Sequence, residues 1–448
     1  MRFFITTRTA VLALALEAFG GLHAQGSGSP YSAYGLGDLL PGGQPAQALK
    51  AGTGLGISEP YGLSLGNPAS YAALARPVFE AGLMGTATRS ESSMGSSSRN
   101  SADLTGFSIG VPFGNGKWGI GLGLVPFSES EYASSTTVST VDGDVDFNYS
   151  GGGGVERAFF GVGRSLYRSK PDSMGHAGTV LLLGAEFNFL FGNLEQTRDA
   201  VYPASDGYNN TRAFSNLVLR APTAGASIQW QGDLTRKRLR GGDNWRWGIG
   251  LSVDLPTDMN ARYSEFISTF VPLNGSEVFK DSVSFTEGAK GTIGLPLGLG
   301  LGLGVGNAHW TINAEYRLRD WSTVQVDVPG YALPAAMISA TTLSVGAGWR
   351  PQDEGGLMRR CVYRAGIRTT SGPVEVRGST LQATAVTAGL SLPLNAVQTN
   401  SWLHAGLEWG QRGSTSDGLV REDHAAFWLG LTFTPWRGER WFSKYKIQ

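Results

Sequence analysis

The stretch from Gly294 to Gly306 reads GLPLGLGLGLGVG, with leucine at every second position from Leu295 to Leu303 and glycine at almost every position between. Elsewhere the alternation is mixed. Phe427, Leu429, Leu431 and Phe433 share one face against Trp428, Gly430 and Thr432, and Trp310, Ile312, Ala314, Tyr316 and Leu318 oppose Thr311, Asn313, Glu315 and Arg317. A period of two marks a strand with unlike faces. It predicts about fourteen strands, near residues 78–89, 102–113, 117–132, 154–168, 176–194, 210–231, 243–262, 284–304, 308–321, 341–350, 358–369, 380–392, 401–412 and 424–436. After residue 77 no long amphipathic helix competes with them, so the fold class is all-β.

Each predicted strand reaches or exceeds the ~9–11 residues that cross a bilayer, and an even count suits a closed single-chain barrel. The connections sort into two sets. Those after even-numbered strands are short, as at 114–116, 306–307 and 351–356, whereas those after odd-numbered strands run longer, as at 90–101, 133–153 and 321–340. Short periplasmic turns and longer outer loops are the asymmetry of an outer-membrane barrel. Lipid on the leucine side and a crowded interior on the glycine side then explain GLPLGLGLGLGVG, because interior glycine is tolerated where something approaches the backbone. A barrel this wide holds an aqueous channel unless filled. Residues 25–77, rich in Gly and Pro and without alternation, are the expected plug.

Composition narrows the class further. Of 448 residues 65 are Gly and only 16% are charged, against ~25% charged in soluble domains. No apolar run of about 18 residues lies past the N-terminus to make a spanning helix. The 36 basic and 36 acidic residues cancel, so no global field recruits nucleic acid. Cys361 is the single cysteine, which excludes an internal disulfide. At the N-terminus, Arg2 and Arg8 precede the apolar Ala10–Leu16 and a small-residue end at Leu22-His23-Ala24, the layout of a signal peptide cut before Gln25. The expected plan is a signal peptide at 1–24, a plug at 25–77, a barrel at 78–436 and a periplasmic tail at 437–448.

Several short motifs carry a family resemblance. Asn67-Pro68-Ala69 stands just before the first strand, and Gly-Asn-Gly-Lys-Trp at 114–118 leads into IGLGLVPF. With the fourteen strands, these resemble the FadL-like outer-membrane proteins, which carry hydrophobic compounds such as long-chain fatty acids and aromatic hydrocarbons. SPYSAYGLGD at 29–38 and RWFSKYKI at 440–447 are similar to the Bacteroidota branch of that group. The resemblance implies a plug containing Asn67, Pro68 and Ala69, and a kinked third strand that opens the wall sideways. Pro126 lies in that strand and either kinks it or ends it, since proline cannot donate to the ladder. The chain departs from the family's proteobacterial members by running on past Phe433 in a basic tail.

Charged residues on inward faces admit two readings. Arg360, Arg364 and Arg368 align opposite Cys361, Tyr363, Ala365 and Ile367, while Glu315, Arg317, Arg319 and Glu408 point inward from other strands. They form a salt-bridge lattice between plug and wall, or their guanidinium forks grip a ligand carboxylate. The basic turn at 236–240 reads as a solvated loop. Gly62–Gly66 and Gly106–Gly110 match G-x-S-x-G, but Ser108 lies in an alternating strand and a nucleophile elbow needs a strand-to-helix turn. The five histidines show no metal spacing, so neither metal nor cofactor is expected. The expected function is passive uptake of hydrophobic small molecules across the outer membrane, with outer-membrane lipid and the ligand as partners. The rival is a non-transporting scaffold that binds envelope proteins, for which the tail after Trp436 would serve; an enzyme is the weakest reading.

Overall fold

The computed structural model describes residues 28–40, 43–93, 95–141, 143–169, 178–203, 207–234, 244–273, 276–352, 354–394 and 401–435. The expected signal peptide, the basic turn at 236–240 and the tail from Trp436 lie outside them. The wall has fourteen antiparallel strands. In chain order they are β1 (Val78–Ser92), β2 (Gly95–Phe113), β3 (Trp118–Glu129, continuing as Tyr132–Thr140), β4 (Gly143–Arg168), β5 (Val180–Val201) and β6 (Asn210–Asp233). Then follow β7 (Arg246–Asp254 and Thr257–Leu273), β8 (Ser276–Leu295 and Gly298–Gly306), β9 (Trp310–Asp320), β10 (Ser339–Trp349), β11 (Val362–Val376), β12 (Ser379–Pro393), β13 (Trp402–Arg412) and β14 (Arg421–Phe433). Pairing of β14 with β1, from Phe79↔Phe433 to Glu91↔Arg421, closes the barrel. The breaks in β7 and β8 fall at Pro256 and Pro296, where the ladder lacks a donor.

The leucine and glycine faces separate as the alternation requires. Leu299, Leu301 and Leu303 are 47%, 43% and 50% exposed on the outer face, while the glycines between them are buried. Aromatic pairs gather beside the short turns: Trp310 and Trp349 stack at 5.6 Å between ring centroids, and Trp230 meets Trp247 at 5.0 Å. Such girdles mark the membrane boundary of a barrel.

All three expected outer loops are structured differently. Most of 90–101 is strand, since β1 runs to Ser92 and β2 starts at Gly95, paired from Ser92↔Gly95 to Thr86↔Ser101. The stretch 133–153 is a β-hairpin in which Tyr132–Thr140 pairs with Gly143–Gly151. Its Ser- and Thr-rich residues favour strand, but with both faces polar they give no period-two apolar signal. The connection after β9 folds inward instead of standing outside. Trp321 is buried, Val326–Asp327 pairs with Ile293 and Thr292 of β8, and Ala336–Met337 pairs with Val374 and Glu375 of β11. Its apolar side chains pack with Leu217, Leu219, Met259 and Tyr263 in a core that fills the upper interior. Burial of Trp321, Val328 and Tyr331 is worth more inside than in water.

The lower interior is occupied by residues 43–77, which carry a short helix at Pro45–Ala48 and a 3-10 turn at Pro68–Ala73. The wall meets this inner segment with glycine. A Cβ on Gly302 would stand 2.7 Å from the Gly56 nitrogen, and one on Gly121 or Gly161 would press on the Tyr71 ring at 2.6–2.7 Å. Strands on every side of the barrel are thus shaped to accept the chain passing between them.

Candidate functional site: the inner segment and the side seam

The inner segment is tied to the wall by buried polar groups. From β9, Glu315 accepts from the backbone N–H of Gly54 and of Leu55, each at 3.1 Å, while Arg317 donates to its other oxygen at 2.5 Å. On β11, Arg364 grips Glu59 through its two terminal guanidinium nitrogens, at 2.5 and 2.8 Å, and Lys50 donates to the same carboxylate at 2.7 Å. Arg364 also donates to Ser391, which bonds His404; His404 bonds Thr432, and Thr432 donates to Glu80. Glu80 accepts in turn from the Leu63 N–H at 2.9 Å. A single hydrogen-bonded chain therefore runs from Lys50 through five wall strands and returns to the inner segment at Leu63.

The remaining charges named from sequence pair within the wall. Arg319 meets Asp254 at 2.5 Å, and Arg368 meets Glu408 at 2.9 Å, which His424 approaches from the other side. Each of Arg317, Arg319, Arg364 and Arg368 thus already holds a carboxylate. Arg360 stands apart, in the helical turn Leu357–Arg360 that precedes β11, and so does not share the inward face of Arg364 and Arg368. Alternation was extended one turn too far there, because Gly355-Gly356 restarts the chain as a turn.

Lys50, Glu59, Tyr71, Glu80, Glu186 and Gln229 carry much of the lattice, and sequence reasoning passed over them. Tyr71 donates to Glu186 of β5 at 2.8 Å, and Gln229 of β6 donates to the Leu55 and Gly56 carbonyls. Glu80 was findable: it shares the inward face of β1 with Val78 and Gly82, and a lone carboxylate among such neighbours demands partners. The inner segment offered no such signal, since its polar residues follow no period.

Asn67, Pro68 and Ala69 sit at the bottom of this arrangement. Asn67 is 1% exposed, donates to the Gly54 carbonyl at 3.2 Å and accepts from Ser227 of β6 at 2.9 Å. Ser227 in turn accepts from the Ala69 N–H at 2.8 Å. Pro68 brings no N–H that needs a partner, and its carbonyl lies against Gly163 and Gly184. Asn67→Ala leaves the Gly54 carbonyl and the Ser227 hydroxyl short of a partner, at about 1–3 kcal/mol. Protease cleavage within the inner segment is expected to rise while the yield of heat-modifiable barrel stays constant; an unchanged cleavage rate would show that Asn67 bears no part of the seating.

Between β2 and β3 the wall has a seam. Their ladder ends at Phe107↔Leu124, although β2 continues up to Gly95 on β1 alone and β3 continues up on β4. Gly106 adopts φ +89° at this level, a conformation that side chains resist, and a bulge carries β2 away. Pro126 lies two residues above Leu124, where β3 bulges against β4. The edge so exposed is covered from inside: Asp38 and Leu39 pair with Glu129 and Ser128, and Leu40 donates to the Phe127 carbonyl at 3.0 Å. Leu39 and Phe127 pack on the upper apolar core.

Neither G-x-S-x-G match is a nucleophile elbow in shape. Ser108 lies within β2 and approaches only Glu80, and Gly106 serves the bulge. Among the described residues no group of three potential metal ligands occurs, and no helix is long and apolar enough to cross a membrane.

The fold recurs in solved structures. A FadL homologue of Pseudomonas aeruginosa superposes with a TM-score of 0.54 at 13% identity, over 89% of this chain and 99% of its own. The toluene transporter TodX of Pseudomonas putida gives 0.53 at 16% identity, over 90% and 100%, and a TodX deltaS2S3 mutant channel gives 0.54 at 17%, over 88% and 98%. These likenesses establish the fold as a β-barrel of the FadL and TodX type. No curated protein sequence matches the chain. The BamG family model matches residues 6–448, and over that length, with this sealed fourteen-stranded barrel as its fold, the chain belongs to the BamG family.

Proposed function

We propose that the protein is a passive outer-membrane channel for hydrophobic small molecules, with residues 25–77 as its plug and an exit sideways through the β2–β3 seam. The observation that supports this most is the continuity of apolar side chains inside the barrel. They run from Trp321 and Tyr331 in the inward-folded connection, past Leu36, to Leu39 and Phe127 at the seam. The lower interior is closed by paired charges and by backbone packed on glycine, so a straight aqueous path is not favoured. A hydrophobic molecule entering beneath the 321–338 connection would exchange apolar contacts for apolar contacts until it met lipid. No energy source enters this scheme, and net flow follows the gradient. The fold of the toluene transporter agrees with it.

A second reading rests on the same closure. A barrel whose plug is stapled by Arg364, Glu59 and Lys50 would also serve as a rigid subunit of an outer-membrane complex, without transport. Cells lacking the protein separate the two. On the channel reading, uptake of a labelled fatty acid or alkylbenzene drops on deletion and returns with the wild-type chain. Linking Thr105→Cys to Pro126→Cys across the seam with a short bismaleimide is expected to cut the restored uptake several-fold, while the unlinked variant transports. Uptake that ignores deletion, accompanied by loss of other outer-membrane proteins, would replace the channel with the subunit.

Removing the lid tests the entry side. Replacing residues 324–335 by a short Gly-Ser connection is expected to raise sensitivity to hydrophobic antibiotics, because it withdraws Val326, Val328 and Tyr331 from the upper core. Unchanged sensitivity at normal barrel levels would place the entry elsewhere.

A further inference from the structure

Above the seam, β3 keeps going where the membrane ends. Trp118–Glu129 already supplies twelve residues, enough for a crossing that takes about 9–11; the continuation Tyr132–Thr140 therefore stands on the outer side of the bilayer. It pairs with β4 along its whole length on one edge. On the other edge, among the described residues, no strand accompanies it; at its foot the turn Pro30–Ala33 packs beside it, with Ser32 bonded to Glu131, and Arg99 reaches across to the Ala133 carbonyl at 2.6 Å. From Ala133 to Thr140 every residue is exposed.

An open edge invites another strand, and proteins normally defend it with lysine, proline, inward charges or bulges. The sequence YASSTTVST has none of these, and its Thr and Val residues favour an extended chain. The lower part of the same edge is already occupied in this way, where Asp38–Leu39 of the inner segment adds to Ser128–Glu129. From these observations we infer that the Tyr132–Thr140 edge is a strand-addition site for an extended, lightly charged segment of a different polypeptide at the cell surface.

Symmetry excludes a second copy of the chain as the occupant. Two identical strands paired antiparallel are related by a two-fold axis normal to their sheet. This sheet rises along the membrane normal, so the axis would lie in the membrane plane and turn one barrel upside down. Lipid cannot satisfy a row of backbone N–H and C=O groups in register either, whereas another backbone can. The inference does not depend on whether the barrel transports.

The test compares amide exchange in outer-membrane vesicles with exchange in the purified barrel. Outward-pointing amides alternate along the strand, so about half of those from 134 to 140 are expected to exchange at least tenfold more slowly in the vesicles. A photo-crosslinker at Ser135 or Ser139 should give one adduct with a chain of different mass. Ser135→Lys with Ser139→Lys should abolish both the protection and the adduct made from Thr137, with barrel yield and heat-modifiability retained. Equal exchange in both preparations, or an adduct with a second copy of this chain, would overturn the inference. If the lysine pair impairs folding, the exchange comparison on the wild-type chain decides alone.

Discussion

Glu59→Ala is expected to release the inner segment from the wall without unfolding the barrel. The substitution leaves the Lys50 and Arg364 side chains, each 4% exposed, side by side with no counter-charge. Breaking a buried ion pair costs about 3–5 kcal/mol, mostly through the stranded charge. Glu59 itself is 30% open to the lumen, which puts the expected loss near the lower end, about 3 kcal/mol. That corresponds to roughly a hundredfold rise in the population with the inner segment displaced. The fourteen-strand ladder is untouched, so the heat-modifiable species should persist, with faster proteolysis within residues 43–77 and a measurable conductance in planar bilayers. Glu59→Gln, which keeps a hydrogen-bond acceptor but no charge, should fall between. Wild-type cleavage rates in Glu59→Ala would mean that the inner segment is held by packing alone.

The double replacement Gly300→Phe with Gly302→Phe should have an effect of similar size through a different cause. Even a bare Cβ on Gly302 would stand 2.7 Å from both the Gly56 nitrogen and the Leu55 Cβ, and one on Gly300 would stand 3.2 Å from Leu55 Cδ2. Overpacking typically costs about 1–3 kcal/mol per site and more where backbone blocks the way. Leu55 and Gly54 are therefore expected to leave the wall, giving up their hydrogen bonds to Glu315. Leu299→Phe with Leu301→Phe, on the lipid side of the same strand, is the matched control and should change little. If the glycine variant assembles with residues 43–77 still shielded from protease, the inward face of β8 is not crowded and the account of its glycines fails.

Legibility followed periodicity. Wherever one face met lipid and the other a packed interior, as in β8, β9 and β14, apolar and small or polar residues alternated, and the strand was readable within a few residues. Where both faces met water, as in Tyr132–Thr140 and the tops of β2 and β4, the alternation vanished and strand was mistaken for loop or cut short. Where the chain was apolar but irregular, as in 321–338, the sequence looked like an outer loop although hydrophobic burial draws it inside. The inward positions of Arg364, Arg368 and Glu315 were visible from strand parity alone. Their partners were not: Glu59 and the N–H groups of Gly54 and Leu55 belong to a segment without a period, and they reach the wall from more than 250 residues away in the chain.

By itself, then, the sequence determined the strand number and the face that each strand turns to lipid, because these depend on local period and on composition. The tertiary structure decided which carboxylate meets which guanidinium, where β2 and β3 part, and that a stretch of β3 is left with an unpaired edge. Those features depend on register between strands and on the path of an irregular segment, which only the closed barrel fixes.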